Sequence, residues 1–199
     1  MTKTAEFTAP FTQLNAWLEE AVKGEINDPT AMSLATVGQD GQPSQRMVLL
    51  KGCDDRGLTF YTNLGSKKAE ELGGNTKASV LFHWKSLRRQ IRVEGTVVQA
   101  DGEEADKYFA SRARTSRIGA WASKQSQPME GRFEFEAAIA KYTAKFGIGE
   151  IPRPDFWSGF RLEPTYFEFW NDKRFRLHER ITYSLAPDAK QWDMAEIYP

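Results

Sequence analysis

Cysteine is all but missing from this sequence. Cys53 is the only one in 199 residues, which excludes an internal disulfide framework and suits a reducing compartment. Net charge is missing as well: lysine plus arginine and aspartate plus glutamate number 27 each. No global attraction to nucleic acid or to an acidic membrane is therefore expected, and any basic site must be local. No apolar run approaches membrane-spanning length, and no basic-then-apolar secretion signal opens the chain. A soluble, cytoplasmic protein is the expectation. The motifs GxGxxG, GxxxxGK[ST] and GxSxG do not occur, which removes support for the common dinucleotide, nucleotide and hydrolase sites. His83 and His178 are the only histidines, without a cysteine cluster or a close histidine partner, so no metal site is expected.

What is present reads as an α+β chain. The hydrophobic share of 40% and charged share of 27% are ordinary for a globular protein large enough to bury a proper core. No internal repeat or linker interrupts it, so one domain over 1–199 is expected, with 1–10 as a flexible N-terminal tail. Phe11, Leu14, Trp17, Leu18, Ala21 and Val22 recur at helical spacing and predict an amphipathic helix over 11–23. Short strands follow at 31–37, 44–51, 58–62, 78–84 and 89–99, separated by glycine-containing turns such as Gly38-Gln-Asp-Gly41, a pattern that suggests an antiparallel barrel or sandwich. Ser66 and Asp101 are candidate N-caps for helices at 67–72 and 101–112, and a further helix is predicted over 133–146. Strands resume at 160–162, 166–170, 174–184 and 192–198.

Candidate chemistry lies in basic clusters at element ends. On a strand over 174–184, Arg174, Arg176, His178 and Arg180 would share one face. Such a row is either solvated or a site for an anion, with His178 the group that titrates near neutral pH. Lys67 and Lys68 occupy the first turn of a predicted helix, where their charge opposes the macrodipole unless an anion binds there. Arg46 and Lys51 flank the apolar run Met47, Val48, Leu49, Leu50. Five residues apart, they would point to opposite faces, so one strand could serve two sites or one of the pair could be structural. Tyr108, Arg112, Arg114, Ser116 and Arg117, followed by Lys124, Gln125 and Ser126, form a basic, hydroxyl-bearing segment suited to a phosphate ester.

Seven stretches taken together resemble a known family: DPTAMSLATV (28–37), QRMVLLK (45–51), FYTNLGSKKAEEL (60–72), RRQIRVEG (88–95), KYFASRARTSRIGAWASKQS (107–126), FWSGFRL (156–162) and FWNDKRFRLHERITY (169–183). The sequence resembles the pyridoxine/pyridoxamine 5′-phosphate oxidases. That resemblance implies an FMN-binding antiparallel split β-barrel with peripheral helices, working as a homodimer with FMN at the subunit interface. It implies FMN contacts from Arg46, Met47, Val48, Leu49, Leu50, Lys51, Tyr61, Thr62, Lys67, Lys68, Gln90, Gln125, Ser126, Trp170 and Arg180. It implies substrate contacts from Lys51, Tyr108, Arg112 and Ser116 on the phosphate, and from Arg176 and His178, the expected catalytic pair, at the reacting face. The implied reaction oxidises C4′ of pyridoxamine or pyridoxine 5′-phosphate to pyridoxal 5′-phosphate, with O2 as acceptor and H2O2 as product. One departure is Glu196-Ile197-Tyr198-Pro199, where the family commonly has Arg-Leu-x-Pro.

Overall fold

The computed structural model describes residues 2–199. Strand β1 (Lys3–Glu6) leads into helix α1 (Ala9–Gly24), whose Pro10 sits in the first turn, where its missing N–H costs nothing. Phe11, Leu14 and Ala21 fall on one face of α1 and are buried. The next elements are β2 (Ala31–Val37), β3 (Pro43–Leu49), β4 (Gly52–Asp54), β5 (Gly57–Asn63), helix α2 (Lys67–Gly74), β6 (Lys77–Trp84) and β7 (Arg89–Gln99). Helices α3 (Gly102–Ser111), α4 (Arg114–Ala122) and α5 (Glu134–Phe146) precede β8 (Trp157–Asn171), β9 (Glu179–Leu185) and β10 (Gln191–Glu196).

All strand pairs among the described residues are antiparallel, in the order β1-β10-β9-β8-β7-β6-β2-β3, with β5 on β8 and β4 on β5. This path does not close on itself. The split occurs at β8, which pairs with β5 over its first half (Trp157–Leu162) and with β9 over its second (Tyr166–Asn171). β7 runs along its other edge from Phe160 to Asn171. Pro164 sits between the two halves, opposite Gly95, where the β7 register shifts. A Cβ on Gly95 would lie 2.0 Å from the Glu163 carbonyl oxygen, so only glycine permits that approach. Two strands expected at 160–162 and 166–170 are thus one.

One sheet face holds the core. Leu34, Val80, Val93, Phe167 and Tyr183 lie in register from β2 to β9 and are buried, closed over by α1 and the β1–β10 edge. A second cluster of Phe109, Ile118, Ile151 and Trp157 packs α3 and α4 beside β8.

Three expectations are corrected here. The expected tail holds regular structure: Met1 lies outside the described residues, but Lys3–Glu6 pair with Gln191–Met194 and α1 begins at Ala9. The partner for those backbone groups comes from the far end of the chain, which local pattern does not reveal. Arg174–His178 are not strand. They turn the chain between β8 and β9, with a 3₁₀ turn at Arg174–Arg176 and left-handed φ at Phe175 (58°) and Arg176 (62°). The strand alternation of Arg174, Arg176 and His178 is therefore not realised. The segment after Arg112, expected as a loop, contains α4, whose Ile118 and Ala122 are buried four residues apart.

Candidate functional site

A cleft of about 1020 Å³ opens between β3, β5 and the N-terminus of α2 on one side and α3 and α4 on the other. That size suits a ligand larger than a single small metabolite. Its lining includes Arg46, Met47, Val48, Leu49, Lys51, Tyr61, Thr62, Lys67, Lys68, Tyr108, Arg112, Ser116, Gln125 and Ser126. Fourteen sequence-predicted residues thus come together although they span 81 positions of the chain. Leu50 does not line it; its side chain is buried in the core and its N–H donates to the Thr30 carbonyl at 2.9 Å.

The α2 end of the cleft is built by the turn after β5. The Asn63 carboxamide oxygen accepts from Gly65 N–H at 2.8 Å and its NH2 donates to the Ser123 carbonyl at 3.0 Å, tying this turn to the segment after α4. Gln125 Oε1 accepts from Thr62 Oγ1 (3.0 Å) and from the Asn63 N–H (3.3 Å). Ser66 occupies the N-cap position of α2, yet its hydroxyl makes no cap bond and lies 3.3 Å from Lys68 Nζ. Lys67 is largely exposed, whereas Lys68 is buried. The Lys68 ammonium donates to Thr62 Oγ1 at 3.1 Å, to Ser66 Oγ and to Gln125 Oε1, all neutral groups. Burial pushes its pKa down, Arg46 adds to the effect and Glu71 opposes it. A buried cation held only by neutral oxygens is stabilised by an anion brought to it.

Arg46 is better compensated. It bonds Thr36 Oγ1 and Ser44 Oγ, and its Nη2 donates to Glu71 Oε2 at 3.1 Å. Glu71 also accepts from Thr36 (2.5 Å) and Ser44 (2.7 Å). Sequence reasoning missed Glu71, whose only local signal is its place four residues after Lys67. Burial alone would raise the Glu71 carboxyl; the bonds from Thr36, Ser44 and Arg46 outweigh it and hold it below the usual carboxylate range.

The other wall is aromatic. Tyr61 stacks on Tyr108 at 4.0 Å and on Trp157 at 5.2 Å, and the Arg112 guanidinium lies 4.9 Å from the Trp157 ring centroid. Arg112 Nη1 is buried without a hydrogen-bond partner, and burial pushes the guanidinium pKa down, opposed by Tyr108. An orphaned guanidinium N–H is a costly group unless a ligand accepts from it. Tyr108 and Arg112, predicted four apart on one helix, do face the same cleft, although Arg112 is the C-cap of α3.

The remaining predicted residues lie elsewhere on the same chain. Gln90, Trp170 and Arg180 line a smaller hollow of about 280 Å³ with Leu81, Arg92, Glu168 and Pro199. Glu168, another residue not picked out from sequence, accepts from Arg92 and Arg180 at 2.7 Å each. Burial raises its carboxyl, but the two arginines prevail and hold it low. Arg176 and His178 line neither hollow; they sit on the connection between β8 and β9. His178 Nδ1 lies 2.8 Å from Asp172 Oδ1, and its ring packs against Trp170 at 4.6 Å. In register across the sheet, Met47, Ser33, Leu81, Arg92 and Glu168 lie on one face, so the exposed β3 edge and the smaller hollow share a surface.

The lowered carboxyls carry a pH consequence. A folded-state pKa below the unfolded value adds stability above that value, about 4.5 here, and the gain is lost as pH falls through the folded pKa. Glu71→Gln and Glu168→Gln are expected to lower Tm at pH 7, with the gap from the parent protein narrowing below about pH 4. Thermal melts across pH 3–8 check this; a gap of constant size would refute it.

Both the sequence and the fold match known proteins. A family model described as pyridoxamine 5′-phosphate oxidase matches residues 18–146, and one described as pyridoxine 5′-phosphate oxidase C-terminal dimerisation region matches 157–199. A pyridoxine/pyridoxamine 5′-phosphate oxidase of Agrobacterium fabrum is 56% identical over 194 residues, covering 98% of this chain and 94% of the relative. Its counterpart in Sinorhizobium fredii is 54% identical over 199 residues, covering 98% and 97%. Among solved structures, PhzG from Burkholderia lata in complex with tetrahydrophenazine-1-carboxylic acid matches with a TM-score of 0.89 at 33% identity, over 96% of this chain and 92% of that one. A pyridoxamine 5′-phosphate oxidase-related, FMN binding protein from Nostoc punctiforme shares the fold, with a TM-score of 0.75 at 18% identity over 94% and 96% of the two chains.

Proposed function

The chain belongs to the pyridoxamine 5′-phosphate oxidase family, and on that premise we propose that it oxidises C4′ of pyridoxamine or pyridoxine 5′-phosphate to give pyridoxal 5′-phosphate. FMN, when bound, supplies the two-electron acceptor for the C4′ hydride and passes the electrons to O2, yielding H2O2. With the amine substrate, water completes the balance and ammonia leaves.

The observation that carries this reading is the pair of uncompensated cations in one cleft. Lys68 and Arg112 each lack a carboxylate partner among the described residues, and both line the same cleft. Two bound phosphates, one from the cofactor and one from the substrate, would meet that need. In this assignment Lys67, Lys68 and Arg46, with Thr62, Gln125 and Ser126, hold the FMN. Lys51, Tyr108, Arg112 and Ser116 hold the substrate phosphate, and the Tyr61–Tyr108–Trp157 stack excludes water from one wall. Arg46 would then be both structural, through Glu71, and a cofactor contact.

The second part of the proposal is a homodimer. Gln90, Trp170, Arg180, Arg176 and His178 lie away from the cleft of their own chain, while Met47 on the β3 edge is 63% exposed. A partner that covers β3 would bury this edge and could carry its own Arg180 and His178 to the cleft. The family match over 157–199 supports that arrangement. Within it, Arg176 would orient the substrate and His178 would handle a proton near C4′.

Anaerobic mixing of the FMN-loaded protein with pyridoxamine 5′-phosphate tests the reaction. The visible flavin bands are expected to bleach, then to recover on admitting air, with peroxide formed. Bound flavin that stays oxidised would overturn the substrate assignment, and failure to hold FMN would overturn the whole reading.

A further inference from the structure

The connection between β8 and β9 is more constructed than a turn requires. Asp172 N–H donates to the Arg88 carbonyl at 3.0 Å, and its Oδ2 is ion-paired with the Arg88 guanidinium. Arg88 itself has a left-handed φ of 55° at the end of the β6–β7 turn. Two turns at one end of the sheet thus grip Asp172 through both backbone and side chain. Its other carboxylate oxygen, Oδ1, lies 2.8 Å from His178 Nδ1, and both side chains are mostly shielded, at 16% and 18% exposure. Trp170 covers the imidazole, and Nε2 has no hydrogen-bond partner among the described residues.

We propose that Asp172 is a positioning residue for His178: it keeps the imidazole proton on Nδ1 and leaves Nε2 as the ring's free acceptor. The inference rests on the reading that His178 lies against the reacting part of the substrate. Its physical basis is an exclusion. The Lys173 N–H donates to the same Nδ1 at 3.3 Å, an arrangement open only to an unprotonated nitrogen, so this bond and a protonated Nδ1 facing Asp172 exclude each other. A carboxylate ion-paired with Arg88 can only accept, so the shorter 2.8 Å contact needs a proton on Nδ1. Which ring nitrogen is protonated follows from the hydrogen bond the other makes. A neutral imidazole free in water prefers the opposite tautomer, with the proton on Nε2, where it could not accept a proton. Asp172 therefore does for the ring what a buried carboxylate does in other acid–base pairs: it selects the tautomer and fixes the ring plane.

The test reads the ring directly. In the ¹⁵N-labelled full-length protein, at a pH well above the ordinary imidazole value of about 6.5, the side-chain ¹H–¹⁵N spectrum reports which nitrogen is protonated. His178→Asn identifies the signals, because His83 is the only other histidine. His178 is expected as the Nδ1–H tautomer, and Asp172→Ala is expected to shift it to Nε2–H. Turnover of pyridoxamine 5′-phosphate by Asp172→Ala should fall about 10-fold or more in kcat, with KM moved much less. Arg88→Ala removes the ion pair but keeps the Asp172–His178 contact, and should retain both the tautomer and most of kcat. If Asp172 only held the loop, the two variants would fall together, and that result would overturn the proposal. So would an Nε2–H ring in the parent protein, or an Asp172→Ala variant with unchanged tautomer. The spectrum needs no cofactor or substrate: an Nδ1–H ring in a protein that never oxidises pyridoxamine 5′-phosphate would uphold the tautomer control and overturn only the assigned reaction.

Discussion

Replacing Arg112 by methionine is expected to raise KM for pyridoxamine 5′-phosphate about 30- to 1,000-fold, or roughly 2–4 kcal/mol, with kcat changed far less. The Arg112 guanidinium lies 4.9 Å from the Trp157 ring centroid and 5.6 Å from that of Phe109, and methionine keeps an unbranched apolar chain beside them, so the substitution removes charge more than volume. The size of the effect follows from burial. Arg112 Nη1 has no protein partner, and burial depresses the guanidinium pKa; the group is desolvated before any ligand arrives. A phosphate reaching it forms a charge-assisted bond without having to strip much water from the arginine. An exposed arginine at the same place would contribute far less, because solvent screens it. The discriminating measurement compares the phosphorylated substrate with its dephosphorylated counterpart in both proteins. The parent should strongly prefer the phosphate ester, and Arg112→Met should lose most of that preference while binding FMN normally. An unchanged preference would remove Arg112 from the phosphate site. Weakened FMN binding with unchanged substrate KM would move it to the cofactor.

Trp192→Ala destabilises the fold by about 3–5 kcal/mol, close to the upper range for a single core truncation. Trp192 is fully buried, and its indole N–H donates to the Phe7 carbonyl at 2.8 Å. Its ring stacks on Phe7 at 6.0 Å and meets Phe167 edge-on at 5.3 Å. Alanine leaves a large cavity and an unpaired carbonyl at the one place where β10, the loop before α1 and the core of β8 meet. Against a typical total stability of about 5–15 kcal/mol, that loss should lower Tm by roughly 10 °C. The first cleavage in limited proteolysis should move to the segment around β1 and α1, whose attachment to the sheet depends on this contact. A Tm within about 2 °C of the parent would show that the N-terminal segment is held chiefly by the β1–β10 hydrogen bonds.

The part of the fold set by short-range pattern was legible from sequence. Strands β2 and β7 begin and end where alternation of apolar residues predicts, and α1 follows its helical spacing to within two residues at either end. The Asp101 cap is made as expected, accepting from the Glu103 N–H at 2.8 Å. In these elements the local periodicity and the buried face coincide, so no distant partner is needed to decide them. The residue types that gather in the cleft were legible too, because a lysine pair opposing a helix dipole and a run of arginines with hydroxyls are costly unless an anion is near.

The tertiary structure decided the rest, for reasons of distance along the chain. Residues 3–6 became a strand because Gln191–Met194 offered an edge. Arg174–His178 lost their strand alternation because β8 and β9 are neighbours, and the chain had to reverse between them. Which cations are neutralised at home also belongs to the fold: Arg46 meets Glu71 and Arg180 meets Glu168, whereas Lys68 and Arg112 meet no carboxylate. In sequence all four are simply basic residues. Their difference arises from burial and from partners 12 or more positions away, and it separates the cations paired with a carboxylate from those without one.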